Sequence, residues 1–444
     1  MTVKNKSVTV HPVDMFNGEL RIPGDKSISH RVAMFAAMAT GTSQIDGFLK
    51  SSDCMATLRA MEKLGARIST TPSGKITVEG TGGIFSQPDA ALDMGNSGTG
   101  MRLLTGLLSG FNITARLEGD PSLSNRPMGR IKAPLDQMGA HIELLGRGRL
   151  PPIIVSGTRL HAIKYELPMA SAQVKSCVLL AGIMADGRTV VREPRPTRDH
   201  TERIMTMLDL PLQVSEQEIS IEGSGGKQIH IEPREWQVPG DFSSAAFWLT
   251  AAAVNPKSCV TILNVGMNPR RIAFMNVLRR MGADIEILSE CDSLHGEPHG
   301  DLRVKGRGLH GVTVGGDEIP NLIDECPLLA VAGAFAEGNT VIRDARELRV
   351  KECDRLAVMC ENMRKLGFTV EEREDGMVVE GNRGAIHHDI SVNSHGDHRV
   401  AMAMAVLASC VDAPVRIENV ECVQTSYPRF WEHLCCIGGK IEME

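Results

Sequence analysis

Six short stretches of the chain carry residue types that bind anions or move protons. The first, Pro23-Gly24-Asp25-Lys26-Ser27-Ile28-Ser29-His30-Arg31, runs into an apolar helix. A helix start offers free backbone N–H groups and a positive dipole end. Lys26 and Arg31 add full charges, and Ser27 and Ser29 add hydroxyls. That combination suits a phosphate or carboxylate, although an Asp-capped helix with solvated charges reads the same way. The second, Gly95-Asn96-Ser97-Gly98-Thr99-Gly100-Met101-Arg102, lets a ligand approach the main chain at its glycines, with Asn96 and Thr99 as donors. It lacks the Gly-Lys-Ser/Thr of a Walker loop and misplaces the third glycine of a dinucleotide loop. A plain structural turn competes with the ligand reading.

In the third stretch, residues 120–130, Arg126 precedes Pro127, whose ring restricts the backbone before it. A guanidinium held in this way makes a bidentate anion clamp, with a solvated loop as the alternative. The fourth is Ser171-Ala172-Gln173-Val174-Lys175, followed in the same unit by Thr197-Arg198-Asp199-His200-Thr201-Glu202. Ser, Gln, Lys and Arg hydrogen-bond a phosphorylated, polyhydroxylated ring; helix capping competes at Thr197. The fifth pairs Asp324-Glu325 with Arg349-Val350-Lys351-Glu352-Cys353-Asp354-Arg355. Read as a helix, it puts Lys351 and Arg355 on one face with Glu352 beside them. Carboxylates among cations can be tuned for acid–base work, and ordinary ion pairs are the alternative. The sixth is His395-Gly396-Asp397-His398-Arg399. Its spacing and adjoining Arg argue against a metal site, so no metal is expected. Arg399 reads as an anion-binding guanidinium oriented by Asp397, and both histidines as core or capping residues.

Five of these six stretches occupy one position, the turn before a helix, in successive repeats of a single pattern. PGDKSISHRVAMFAAMATG at Pro23 matches PGDFSSAAFWLTAAAVN at Pro239. Further repeats start near Gly95, Met169, Pro320 and His395, and closing helices end at pairs such as Met138-Gly139 and Leu366-Gly367. Six units of roughly seventy to eighty residues exceed a solenoid period, so the reading is three small α/β modules in each of two domains. The paired PGD turns place the crossings near 22–25 and 238–241. One domain then spans 23–240, and the other 1–22 plus 241–444. Turns from both domains would point into one cleft, where Lys26, Arg126, Arg355 and Arg399 enclose an anionic substrate pair.

The net charge of −6 means such a ligand must be held by a local cluster of cations. An aromatic content of 4% argues against a base-stacking surface, so no nucleic-acid partner is expected. No apolar run reaches the ~18 residues that span a bilayer. The start MTVKNKSVTV shows no leader, so a cytoplasmic location is expected. Eleven scattered Cys without a CxxC pair read as buried, reduced thiols.

PGDKSISHR, GNSGTGMR, SNRPMGR, RVKECDR and GDHR, in this order, resemble the EPSP synthase family of enolpyruvyl transferases over nearly the whole chain. The resemblance implies an inside-out α/β barrel of two domains, each of three βαβαββ units. It also implies transfer of the enolpyruvyl group of phosphoenolpyruvate to the 5-hydroxyl of shikimate 3-phosphate, with no cofactor. Carried over by motif, Lys26, Ser27, Arg31, Ser171, Ala172, Gln173, Arg198, Asp324 and Lys351 meet shikimate 3-phosphate. Lys26, Asn96, Gly98, Thr99, Arg126, Gln173, Arg355 and Arg399 meet phosphoenolpyruvate. Asp324 accepts the hydroxyl proton, and Glu352 or Lys26 protonates the methylene. The first domain becomes the shikimate 3-phosphate side, the second the phosphoenolpyruvate side, and the chain is expected to act as a monomer.

Two positions depart from the family's common pattern. Thr425 stands where some members carry a phosphoenolpyruvate-binding Lys, and Ala172 where some have Ser. Both suit the subgroup that includes glyphosate-tolerant enzymes. Gly98, however, leaves room that an Ala would fill, so inhibition by glyphosate is expected. The related UDP-N-acetylglucosamine transferases carry a Cys ahead of the Arg-Pro segment, and none stands between Asp120 and Arg126. A non-catalytic sensor would not need Asp324, Glu352 and Lys26 together.

Overall fold

The computed structural model describes residues 6–216, 218–291, 296–381 and 390–444. Residues 1–5, part of the stretch read for a leader, lie outside these. The chain divides into two units. One is Gly24–Val238 with Ser293–Glu297, and the other is Met1–Pro23, Pro239–Asp292 and Pro298–Glu444; they are called the continuous and the split unit below. Each has its own apolar core.

Each unit holds three sheets, five of the six being four-stranded and one five-stranded. One module shows the common plan. The strand Leu92–Asp93 leads to the helix Gly98–Leu108, the strand Thr114–Glu118, the helix Gly129–Gln137 and the strands His141–Gly146 and Leu150–Ser156. The first two strands pair in parallel, which requires the helical crossover, and the others antiparallel. Buried and half-buried residues alternate along Leu150–Ser156, so one face of the sheet is the more deeply covered.

The helices that lead each module are the buried layer. In Phe242–Val254 and Cys326–Ala334 every residue is buried, and eleven of twelve are in His398–Ser409. These three pack on one another, and their sheets carry the exposed strand positions. A helix apolar all round is one with no solvent face.

Two modules take a strand from far along the chain. Asn17–Arg21 pairs in parallel with Cys259–Gly266 of the split unit, just before the chain enters the continuous unit. Glu235–Gln237 pairs in parallel with Thr42–Asp46 of the continuous unit, just before the chain leaves it. The glycine after each crossing proline is required by close approach. A Cβ at Gly24 would stand 1.8 Å from the Gly47 carbonyl oxygen, and one at Gly240 2.7 Å from that of Asn264.

All six second helices stop in the same way. Gly65, Gly139, Gly282, Gly367 and Gly438 have positive φ, and each donates to the carbonyl three residues back. The following residue donates to the carbonyl five back, as in Ala66 to Met61 and Phe368 to Met363. The third module uses Asp209, at φ 55, for the same purpose.

Candidate active site

In the continuous unit the site residues stand on the starts of the three leading helices. Asp25 caps Lys26–Met38 by accepting from the Ile28 N–H. Lys26 is then the first helical residue, and its Nζ lies 2.7 Å from Oδ2 of the buried Asp53. His30 is buried between Thr57 Oγ1 at 2.7 Å and Ser97 Oγ at 3.3 Å, tying the first and second modules together. Burial first, and then Lys26 and Arg31, hold the pKa of His30 well below the usual imidazole value. Arg31 is buried and donates to Thr201 Oγ1, the Ser27 carbonyl and Ser176 Oγ. Burial pulls its guanidinium down to about 10.

The stretch read as a glycine-rich turn is mostly helix: Ser97 caps Gly98–Leu108. Arg126 keeps the extended backbone that Pro127 imposes, at φ −91° and ψ 131°. Its Nη2 donates to Asn96 Oδ1 at 2.6 Å and its Nη1 to the Asn96 carbonyl, while Asn96 donates to Asp120. Thr99 Oγ1 accepts from Gln173 Nε2, and Arg102 Nη1 donates to Gln173 Oε1. Asn96, Arg126 and Asp120 thus form one hydrogen-bonded group, and Thr99, Gln173 and Arg102 another. The space at Gly98 is bounded by cations, since a methyl there would stand 2.8 Å from Arg102 Nη1 and 3.5 Å from Arg126 Nη1. Ser171 caps Ala172–Gly182, and Ser171, Ala172, Gln173 and Arg198 are half-buried.

The split unit gathers its groups around Arg355, whose side chain is 2% exposed. Its Nε donates to Asp397 Oδ2 at 2.6 Å, its Nη1 to Asp324 Oδ1 at 3.3 Å and its Nη2 to Glu352. Burial works against the charge, but Asp397, Glu352 and Asp324 hold the guanidinium well above its ordinary value. Lys351 Nζ is 3.9 Å from Asp324 and 3.2 Å from Glu347. Arg399 Nη1 is 3.5 Å from the buried Glu325.

Several expectations need correction. Residues 349–355 are not a helix: Arg346–Val350 is a 3-10 turn, and Asp354 caps a helix that begins at Arg355. Lys351, Glu352 and Arg355 meet because the chain bends around Asp324, not because they share a helix face. Asp397 caps the helix of Arg399 through the backbone, but its free carboxylate oxygen orients Arg355; the carboxylate beside Arg399 is Glu325. Lys175 is wholly buried between Glu193 and Glu202, so it holds the fold and does not face a ligand. His395 is exposed at φ 51 and has no core role, whereas His398 is buried. Only four cysteines are buried, and Cys291, Cys435 and Cys436 are exposed. Sequence reading missed Asp53, Arg102, Glu325 as the partner of Arg399, and Arg271. Of these, only Arg102 and Glu325 lay within motifs already singled out.

Among the described residues no three His, Cys, Asp or Glu side chains could hold a metal ion. No helix among them is long and apolar enough to cross a membrane.

Six α/β modules with inward helices, whose starts carry cations and carboxylates, define the enolpyruvyl transferase class of fold. A sequence profile of the family described as EPSP synthase (3-phosphoshikimate 1-carboxyvinyltransferase) matches residues 10–434, and the chain belongs to that family. A 3-phosphoshikimate 1-carboxyvinyltransferase of Akkermansia muciniphila is 46% identical over 430 residues, covering 95% of this chain and 97% of the relative. The solved structure of an EPSP synthase from Acinetobacter baumannii is 41% identical, with a TM-score of 0.86 and 99% of both chains covered. The enolpyruvyl transferase NikO from Streptomyces tendae shares the fold at 18% identity, with a TM-score of 0.79 and 99% coverage of both chains.

Proposed function

We infer that this chain carries out its family's reaction, moving the enolpyruvyl group of phosphoenolpyruvate to the 5-hydroxyl of shikimate 3-phosphate with release of phosphate. The observation that carries the reading is the matched set of cations and carboxylates at successive helix starts in a member of that family. Ser27 and Arg31 take the shikimate carboxylate, and Ser171, Arg198 and Lys351 take the 3-phosphate. Ala172 and Gln173 lie along the ring. Lys26, Asn96, Gly98, Thr99, Gln173, Arg126, Arg355 and Arg399 take phosphoenolpyruvate. Helix-start N–H groups add partial positive charge at Gly98 and Ala172.

The carboxylates around Arg355 divide by burial. Asp397 is wholly buried and caps a helix. Asp324 and Glu352 are 19% and 15% exposed at their side chains and can exchange protons. A bound polyanion raises the proton affinity of carboxylates near it. Glu352, with Lys26, then protonates the enolpyruvyl methylene, which makes carbon 2 electrophilic. Asp324 accepts the proton of the attacking hydroxyl, and the tetrahedral adduct then returns a methyl proton to the group that gave it as the C–O bond to phosphate breaks, which restores the vinyl ether. Asp53 pins Lys26, so the ammonium needs little reorganisation as charge shifts. Every assigned group belongs to this one chain, so a monomer suffices, and the phosphorylated substrates fit a cytoplasmic location.

Acceptor choice tests the reading. Turnover with phosphoenolpyruvate is expected with shikimate 3-phosphate and not with UDP-N-acetylglucosamine, and the reverse preference would refute it. Arg126→Ala is expected to raise KM for phosphoenolpyruvate at least tenfold, with a smaller change for shikimate 3-phosphate. Glyphosate is expected to inhibit when phosphoenolpyruvate is low, and a flat curve at millimolar glyphosate would count against the role given to Gly98.

A further inference from the structure

Arg399 rests against a buried assembly that the reaction as described does not use. Ser243, 2% exposed, donates its hydroxyl to Glu325 Oε1 and accepts from Arg271 Nη2. Arg271 Nη2 also lies 3.8 Å from Glu325 Oε1 and 3.6 Å from Asp241 Oδ1. Arg399 Nη1 is 3.5 Å from the same Glu325 oxygen. Glu325 is 0% and Arg271 4% exposed, whereas the Arg399 side chain keeps 14% of its surface open. One carboxylate oxygen is thus shared by a hydroxyl and two guanidinium groups. Glu325 Oε2 and two Arg271 nitrogens, Nε and Nη1, are buried without hydrogen-bond partners among the described residues. A buried ion cluster left partly unsatisfied is a poor way to gain stability, so its worth must lie in fixing geometry. Charge counting agrees: Arg271 is answered by Asp241 and Glu325, and among the described residues Glu325 is the carboxylate paired with Arg399.

We propose that Glu325, locked by Ser243 and Arg271, is a positioning residue that sets the direction of Arg399 toward phosphoenolpyruvate. The proposal rests on the reading of Arg399 given above. Two effects of removing the Glu325 charge oppose each other. A long Arg side chain set free must be ordered again on binding, which raises KM. Removing a competing anion strengthens the pull of Arg399 on its ligand, which lowers KM. Because Glu325 already divides its charge with Arg271, the ordering effect is the larger.

The test is a kinetic cycle with Glu325→Gln, which keeps the shape and a hydrogen bond to Ser243, in the native and Arg399→Ala backgrounds. Glu325→Gln is expected to raise KM for phosphoenolpyruvate about tenfold, equivalent to about 1.4 kcal/mol, with KM for shikimate 3-phosphate within about twofold. In the Arg399→Ala background the same change should add less than about twofold, since a residue acting only through Arg399 has nothing left to direct. Ser243→Ala should shift KM for phosphoenolpyruvate the same way, about threefold, and it carries the cycle if Glu325→Gln fails to fold. A fall in KM, an equal rise for both substrates, or an undiminished effect without Arg399 would overturn the proposal. If Arg399→Ala alone leaves phosphoenolpyruvate use unchanged, the reading of Arg399 falls, and this inference with it.

Discussion

Residues 23–31 and 239–247 begin helices of equal length, 13 residues each, with the same aspartate cap. Asp25 accepts from Ile28 N–H and Asp241 from Ser243 N–H. Beyond the cap they part. Lys26 is matched by Phe242, His30 by Ala246 and Arg31 by Phe247. Lys26 stays 22% exposed beside Asp53, while Phe242 is 1% exposed in the core. The cap and the Pro-Gly crossing are therefore scaffold, shared by both units. Chemistry lies in the few side chains that depart from the apolar pattern. In the split unit those departures sit elsewhere, at Asp324, Arg355 and Arg399, and the PGD segment supplies Asp241 and Ser243 as support.

Exchanging the contrasted residues should give opposite kinds of damage. Lys26→Met is expected to lower turnover about a thousandfold while the chain still folds, with the melting temperature falling because the buried Asp53 loses its partner. Phe242→Lys buries an unpaired ammonium and should cost about 4 kcal/mol or prevent folding. Paired measurements of activity and urea stability read both; a stable Phe242→Lys protein would erase the distinction between site and scaffold. Asp397→Asn comes next. It leaves the buried Arg355 short of an anchor, and a loss of about 3 kcal/mol is expected in urea unfolding. An unchanged midpoint would show that Asp324 and Glu352 suffice.

Acid probes one buried histidine in each unit. The pKa of His30 lies well below the ordinary value, and that of His433 at about 4, in both cases chiefly through burial. Both lowered values mean that the unfolded chain takes up protons which the native state refuses. These histidines leave stability unaffected above about pH 6.5 and lower it as pH falls, by up to about 1.4 kcal/mol per pH unit for each. For His433 the loss runs down to about pH 4. His433→Phe should remove one proton's worth of slope between pH 6 and 4.5. At neutral pH it should cost about 1 kcal/mol, because the Tyr427 hydroxyl loses its hydrogen bond with His433 Nδ1. An unaltered slope would mean that His433 protonates in the native state. The smallest effect is expected at Asp209, the one second-helix stop without glycine. Asp209→Gly should gain about 0.5–1 kcal/mol by relieving a left-handed backbone. Its exposed ion pair to Arg234, at 3.6 Å, offers little to lose.

Local features were legible in the sequence. Aspartate and serine caps, apolar helix runs, glycine stops and the extended Arg126 before Pro127 each depend on a few neighbouring residues, and the glycine stop recurs in five of the six modules. The resemblance then supplied the family and the roles. Pairings across the chain were not legible. Lys26 with Asp53, Arg126 with Asn96, and Arg399 with Glu325 are 27, 30 and 74 residues apart in sequence, as their numbers give. No periodicity encodes them. Residues 349–355 misled because charge spacing mimics a helix, whereas Asp354 is a better cap than a helix interior residue. The exposed Cys435 and Cys436 misled because the short helix Phe430–Cys436 buries only one face.

The most direct measurement mixes the purified chain with phosphoenolpyruvate, with and without shikimate 3-phosphate, and follows inorganic phosphate together with product mass. Phosphate should appear only when both substrates are present, one for each enolpyruvyl ether formed, and Lys26→Met should silence it. Phosphate released equally from phosphoenolpyruvate alone, or none from the mixture, would contradict the assignment of these helix starts to enolpyruvyl transfer.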